Sequence, residues 1–156
     1  MDDAVARGMA KWPNVPAVYG WLSLDRRGNW RIKGQTVAKA ALRAFIGRNY
    51  ASDARGCWYF QNGPQRVFVT LAYTPFVFHY EGNGRLLDQC GSEISALETY
   101  LDDEGSVLIL GERGIGLLDD RDLQRYADQA DELVPIDRAG VAARFGFVAE
   151  PSDSLR

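Results

Sequence analysis

Alternating apolar and polar positions dominate the middle of the chain. Between Arg66 and Tyr73, Val67, Val69, Leu71 and Tyr73 fall on one face while Phe68, Thr70 and Ala72 fall on the other, the period-two pattern of a strand. The aromatic run Trp58-Tyr59-Phe60 precedes it across Asn62-Gly63-Pro64-Gln65, so residues 57–73 predict a β-hairpin. Pro75 breaks or edges the sheet. Phe76 to Tyr80 then resumes a strand, Glu81-Gly82-Asn83-Gly84 turns it, and Arg85 to Leu87 returns. Helical spacing appears at Ala38, Ala41, Leu42, Phe45 and Ile46, and again at Leu123, Tyr126, Ala127 and Ala130 behind the acidic start Asp119-Asp120-Arg121-Asp122. A third helix is expected over Arg138 to Phe145, weakened by Gly140.

At an offset of 77, Leu24-Asp25-Arg26-Arg27-Gly28-Asn29-Trp30 aligns with Leu101-Asp102-Asp103-Glu104-Gly105-Ser106-Val107. The aspartate can close a turn through its side chain, and the glycine three residues later accepts positive φ. Both copies read as hairpins followed by helices. The expected fold class is therefore α+β: a mostly antiparallel sheet built from two repeated β-hairpin plus helix units, with a central hairpin and two to three helices. The expected organisation is a flexible leader over 1–11, one compact domain over 12–147 and a mobile tail over 148–156. Within the domain, repeat unit one covers about 19–46, the central hairpins 57–87, and repeat unit two about 97–130.

Charge adds a division that the hydropathy pattern hides. The 156 residues carry a formal charge of −3, yet eleven basic against four acidic side chains up to Tyr80 give +7, and seven against seventeen afterwards give −10. The two turns are oppositely charged, Arg26-Arg27 against Asp103-Glu104, which predicts charge pairing between the units or between protomers. With 46% apolar and 25% charged residues the chain can bury a core, and disordered and disulfide-framework classes are excluded. No run of 18 apolar residues and no secretory signal pattern is present, and two cysteines, Cys57 and Cys90, read as thiols; the expected location is cytoplasmic.

Few motifs carry chemistry. Phosphate-binding glycine loops, nucleophile elbows and zinc-protease motifs are missing, and Gly111-Glu112-Arg113-Gly114-Ile115-Gly116 has acidic neighbours and too little helix behind it to cradle phosphate. One histidine and two cysteines cannot complete a four-coordinate zinc site, and the acid clusters at 102–104 and 119–122 lack calcium-loop spacing, so no metal or cofactor is expected. His79 is the first candidate for proton transfer, or for pairing with Cys57 or Cys90, although a lone histidine sharing a strand face with Val77 is more often structural. The turn Gln61-Asn62-Gly63-Pro64-Gln65-Arg66 is the most unusual polar segment. Gln61, Asn62, Gln65 and Arg66, with His79, are the ligand-binding candidates, able to meet a carboxylate, amide or phosphate.

The segments Trp12-Pro13-Asn14-Val15-Pro16-Ala17-Val18-Tyr19-Gly20-Trp21, Arg48-Asn49-Tyr50 and Trp58-Tyr59-Phe60-Gln61-Asn62-Gly63-Pro64-Gln65-Arg66-Val67 with Thr74-Pro75 resemble a family of short proteobacterial proteins that form a domain of unknown function. More distantly, Asp25-x-x-Gly28-x-Trp30-x-Ile32-x-Gly34, Val67 and Pro75-Phe76 resemble a second bacterial family, β-rich with repeated motifs and linked to signalling. Neither resemblance supplies a catalytic residue. The first reading is thus a non-catalytic binding or accessory module, in signalling, whose partner is a protein or an anionic small molecule. The alternative is a small enzyme or small-molecule sensor with a pocket near His79 and the Gln61 to Arg66 turn; a concave pocket with His79 within hydrogen-bond reach of Cys57, Cys90 or a buried carboxylate favours it, whereas an exposed apolar patch without a pocket favours the first reading. Nucleic-acid or anionic-lipid binding through the basic first half requires the basic side chains to converge on one face. Their scatter in sequence and the downstream acid excess argue against it.

Overall fold

The computed structural model describes residues 12–130 and 132–153; the expected leader over 1–11 and the end of the expected tail, 154–156, lie outside the described residues. The chain divides into two compact units. Of the described residues, the first unit holds 12–25, 29–72 and 147–153, and the second holds 26–28, 73–130 and 132–146.

In the first unit, strands β1 (Ala17–Leu24), β2 (Trp30–Ile32), β3 (Gln35–Thr36), β4 (Tyr50–Ser52), β5 (Trp58–Asn62) and β6 (Gln65–Leu71) form one sheet in the order β3-β2-β1-β6-β5-β4. Alternation sends Val18, Leu22 and Leu24 of β1 and Val67, Val69 and Leu71 of β6 into the core, each at most 4% exposed. Such side chains contribute about 1.5–3 kcal/mol apiece on burial. Helix α1 (Ala40–Arg48) adds Leu42 and Ile46, and sets Phe45 edge-on to Phe60 of β5 with ring centroids 5.5 Å apart. Residues 147–153 rejoin this unit: the Val148 N–H donates to the Gly56 carbonyl, and the Ala149 carbonyl accepts from Leu71.

The second unit repeats the strand plan. Strands β7 (Phe76–Gly82), β8 (Arg85–Leu87), β9 (Glu93–Ile94), β10 (Glu98–Asp102), β11 (Val107–Leu110), β12 (Ile115–Leu118) and β13 (Val134–Ile136) lie in the order β13-β10-β11-β12-β7-β8-β9. Setting β13 aside, the order and the pairing polarity equal those of the first sheet: two antiparallel three-strand meanders joined by a parallel pair, β1 with β6 and β7 with β12. In β12, Gly116 leaves room for the Phe78 ring, since a Cβ there would lie 2.3 Å from it. Helix α2 (Leu123–Gln129) packs Tyr126 edge-on against Tyr80, and α3 (Val141–Phe145) follows a 3-10 turn over Arg138–Gly140.

Two expectations need correction. Both sheets are mixed rather than mostly antiparallel, with parallel pairs β1·β6, β7·β12 and β10·β13, because alternation marks a strand without choosing its partner. The hairpin-plus-helix repeat at offset 77 is not the plan the sheets share. What aligned there is a local turn that occurs four times among the described residues, at Asp25, Asp53, Asp88 and Asp102. In each, the aspartate N–H donates to the carbonyl four residues on, and its Oδ1 accepts the N–H of that same residue. The intervening glycine, Gly28, Gly56, Gly91 or Gly105, takes φ of +85 or +86. A turn this self-contained recurs without implying that its surroundings do.

Candidate functional site

The second unit contains a cleft of about 240 Å³. Arg26, Arg27, Ser106 and Asp120 supply its polar wall, and Leu117, Leu118 and Leu123 its apolar one. The arginines sit in a clamped turn. His79 Nε2 lies 3.1 Å from the Arg27 carbonyl oxygen and 3.3 Å from Asp119 Oδ2. Facing two acceptors, that nitrogen carries the hydrogen. Gly28 nests on the same face of β7, and a Cβ there would meet His79 Cε1 at 3.1 Å and Val77 Cβ at 3.4 Å. His79 and Val77 therefore share a face, as the alternation predicts.

Asp119 is the buried half of this arrangement, its side chain 1% exposed. Burial alone would raise its pKa. Arg121 overrides that by donating its backbone N–H and its guanidinium to the carboxylate, and with the His79 ring opposite the carboxyl is held down to about 2. The Asp119 N–H in turn donates to the Phe78 carbonyl, so the end of β12 fixes the carboxylate beside β7. Asp119 caps the 3-10 turn Asp120–Asp122, and Asp122 accepts the Tyr80 N–H.

On the other side of the cleft, Arg26 donates to Ser106 Oγ at 3.0 Å and lies over the Tyr73 ring. Arg138 also lies over that ring. The Tyr73 hydroxyl donates to Asp102 Oδ2 at 2.9 Å, and burial together with that carboxylate pushes the phenol well above its usual range. Arg27 pairs with Asp120 at 3.4 Å, both exposed. The acids of the second turn are held by Arg138: its N–H donates to Asp103 and its guanidinium pairs with Glu104.

Of the sequence candidates, only His79 adjoins this cleft. Gln61, Asn62, Gln65 and Arg66 lie in the first unit, where their amides knit the turn together. Gln61 Nε2 donates to the Gly63 and Gln65 carbonyls, Asn62 Nδ2 donates to Gln65 Oε1, and Gln65 Nε2 donates to the carbonyls of Pro13 and Val15 at 2.6 and 2.7 Å. The Arg66 guanidinium covers the Tyr59 ring at 4.3 Å. Arg26, Arg27 and Ser106 are not among the ligand-binding candidates, Arg26 and Arg27 predicting charge pairing alone; their signal was two arginines inside a turn whose other positions had structural reasons. The thiols show no activation. Burial, then Asp88, pushes Cys90 up to about 12, and burial also raises Cys57. Among the described residues no cluster of His, Cys, Asp and Glu could hold a metal ion.

The profile of a family described as "Protein of unknown function (DUF2946)" matches residues 1–152. The chain belongs to that family, DUF2944. No match is found among curated proteins. Two solved structures resemble this DUF2944 chain. One is a DUF1285 family protein from Shewanella baltica OS155, with TM-score 0.55 and 14% identity over 71% of this chain and 93% of that one. The other, a DUF1285 family protein from Silicibacter pomeroyi DSS-3, has TM-score 0.57 and 12% identity over 85% and 87%. At such identity the likeness concerns the fold alone.

Proposed function

We propose that this DUF2944 chain is a non-catalytic binding module, cytoplasmic and in signalling, whose second unit holds a small carboxylate. The observation that carries the reading is a local reversal of charge. The described residues of that unit hold eight basic against fourteen acidic side chains, a balance of −6, whereas the cleft lining holds Arg26 and Arg27 against Asp120 alone. Two guanidiniums and a serine hydroxyl suit a carboxylate, and three leucines suit a short apolar tail. A volume of about 240 Å³ suits a small ligand rather than a drug-sized one.

The surroundings support binding over turnover. Asp119 is held ionised by Arg121, Cys90 is held as a neutral thiol, and the Tyr73 phenol is held protonated. His79 bonded to a buried carboxylate beside a pocket is the arrangement expected of a small enzyme or small-molecule sensor, and with its Nε2 committed to clamping the arginine turn it supports the sensor. The experiment is a titration with butyrate, followed by backbone amide chemical shifts. Saturable changes at Arg26, Arg27, Ser106 and Leu117 to Leu123 are expected. Changes absent, or spread evenly over the surface, contradict the site.

A further inference from the structure

The outer face of the first unit's sheet carries a second, unrelated construction. Beside the parallel pair of β1 and β6, Val18 opposes Val67 and Leu22 opposes Val69, so Tyr19-Gly20-Trp21 together oppose the single residue Phe68. Gly20, at φ +76, permits this bulge. Val18 and Leu22 point into the core, so Tyr19 and Trp21 point out. Tyr19 stacks parallel on Phe68 with centroids 4.7 Å apart, and Tyr59 of β5 meets Phe68 edge-on at 5.8 Å. The result is an aromatic row across three strands, on the side of the sheet away from Phe60 and α1.

Three cations converge on that row. Lys33 lies 4.0 Å over Trp21, Arg66 lies 4.3 Å over Tyr59, and Arg55 lies 5.5 Å over Phe68. All three are exposed, and Tyr19, Trp21 and Tyr59 are half-exposed. Lys33 occupies its place at a conformational cost. Ile32 pairs with Gln35 across Lys33-Gly34, a two-residue turn with φ +52 and +82, whose first position ordinarily takes Asn, Asp or Gly. The described residues of this unit hold seven basic against four acidic side chains, a balance of +3. Scatter along the sequence is therefore not scatter in space.

Arg55 is itself paired with Asp53 at 2.9 Å, and Phe68 is buried beneath its neighbours. We propose that this face binds single-stranded nucleic acid, bases stacking on the half-exposed Tyr19, Trp21 and Tyr59 rings and phosphates meeting Lys33 and Arg66. Half-exposed rings on a sheet with basic side chains between them are the recurring means of holding unpaired bases. A lipid headgroup would use the cations but not the ring faces.

The test is fluorescence anisotropy of labelled oligothymidylate twelve nucleotides long with the full chain at about 50 mM salt, beside an abasic strand of equal length and phosphatidylserine vesicles. Binding of the oligothymidylate is expected, at least about fivefold tighter than the abasic strand, with a log-log salt slope of about −1.4 for two released counterions. Trp21 is the half-exposed tryptophan while Trp12, Trp30 and Trp58 are buried, so tryptophan emission is expected to quench on binding and Trp21→Phe to remove the quench. Arg66→Gln and Lys33→Gln, each checked for an unchanged melting temperature, are expected to weaken binding severalfold. No binding, equal binding of the abasic strand, binding of vesicles alone, or a quench that survives Trp21→Phe overturns the proposal.

Discussion

His79 Nε2 sits 3.3 Å from the buried carboxylate of Asp119 and 3.1 Å from the Arg27 carbonyl oxygen, so one ring ties the arginine turn to the end of β12. Because the folded-state pKa of Asp119 is depressed from 3.8 to about 2, its contribution is fully present above pH 3.8 and is lost as pH falls through about 2. The shift corresponds to about 2 kcal/mol. Asp119→Asn is expected to lower stability by about that amount at neutral pH, and the gap from the parent is expected to narrow between pH 4 and pH 2. Urea unfolding across that range checks it; a gap independent of pH would contradict the assignment.

Gly28 and Gly105 share φ +85 but not surroundings. A Cβ on Gly105 meets nothing within 4 Å, while one on Gly28 presses on His79, Gln89 and Val77. Gly105→Ala is expected to cost about 1–2 kcal/mol from backbone strain alone, and Gly28→Ala to cost more and to weaken butyrate binding. Denaturation midpoints of the two variants make the comparison.

Gly116 tests the parallel pairing of β7 with β12. A Cβ would lie 2.3–2.7 Å from three atoms of the Phe78 ring, which is itself buried. Gly116→Ala is expected to cost about 3 kcal/mol or more, and Gly116→Ala with Phe78→Leu to recover part of it. Failure of the double variant to recover any stability would place Phe78 elsewhere.

Gln65 separates a structural role from a binding one. Its two hydrogen bonds to the Pro13 and Val15 carbonyls hold the segment entering β1. Gln65→Ala is expected to destabilise by about 1–3 kcal/mol while leaving butyrate binding unchanged. A loss of binding with full stability would return the Gln61 to Arg66 turn to candidacy.

The strands were legible because alternation survives single substitutions: Val67, Val69 and Leu71 are buried where the pattern placed them, while of the helical stripes α1 buries Leu42 and Ile46 and α2 buries Tyr126. The partners of those strands were not legible. Leu24 pairs with Leu71 across 47 positions, and nothing in either residue names the other. The boundary between units at Ala72 and Tyr73 carries no glycine- or proline-rich spacer to mark it. The cleft stayed hidden for a similar reason. Arg26 and Arg27 carried only an expectation of charge pairing with the second turn, and Ser106 carried none, until the fold set them around one space. Charge was legible in sum and misleading in detail, since the basic half contributes its two turn arginines to the acidic unit.

Arg26 and Arg27 are proposed to form a carboxylate site held in place by His79. The most direct measurement is butyrate titration followed by amide chemical shifts in the parent, Arg27→Gln, His79→Gln and the surface control Arg43→Gln. Saturable shifts at Ser106 and Leu117 to Leu123 are expected in the parent and in Arg43→Gln, abolished in Arg27→Gln, and weakened severalfold in His79→Gln. Identical titrations in the parent and Arg27→Gln would contradict the account.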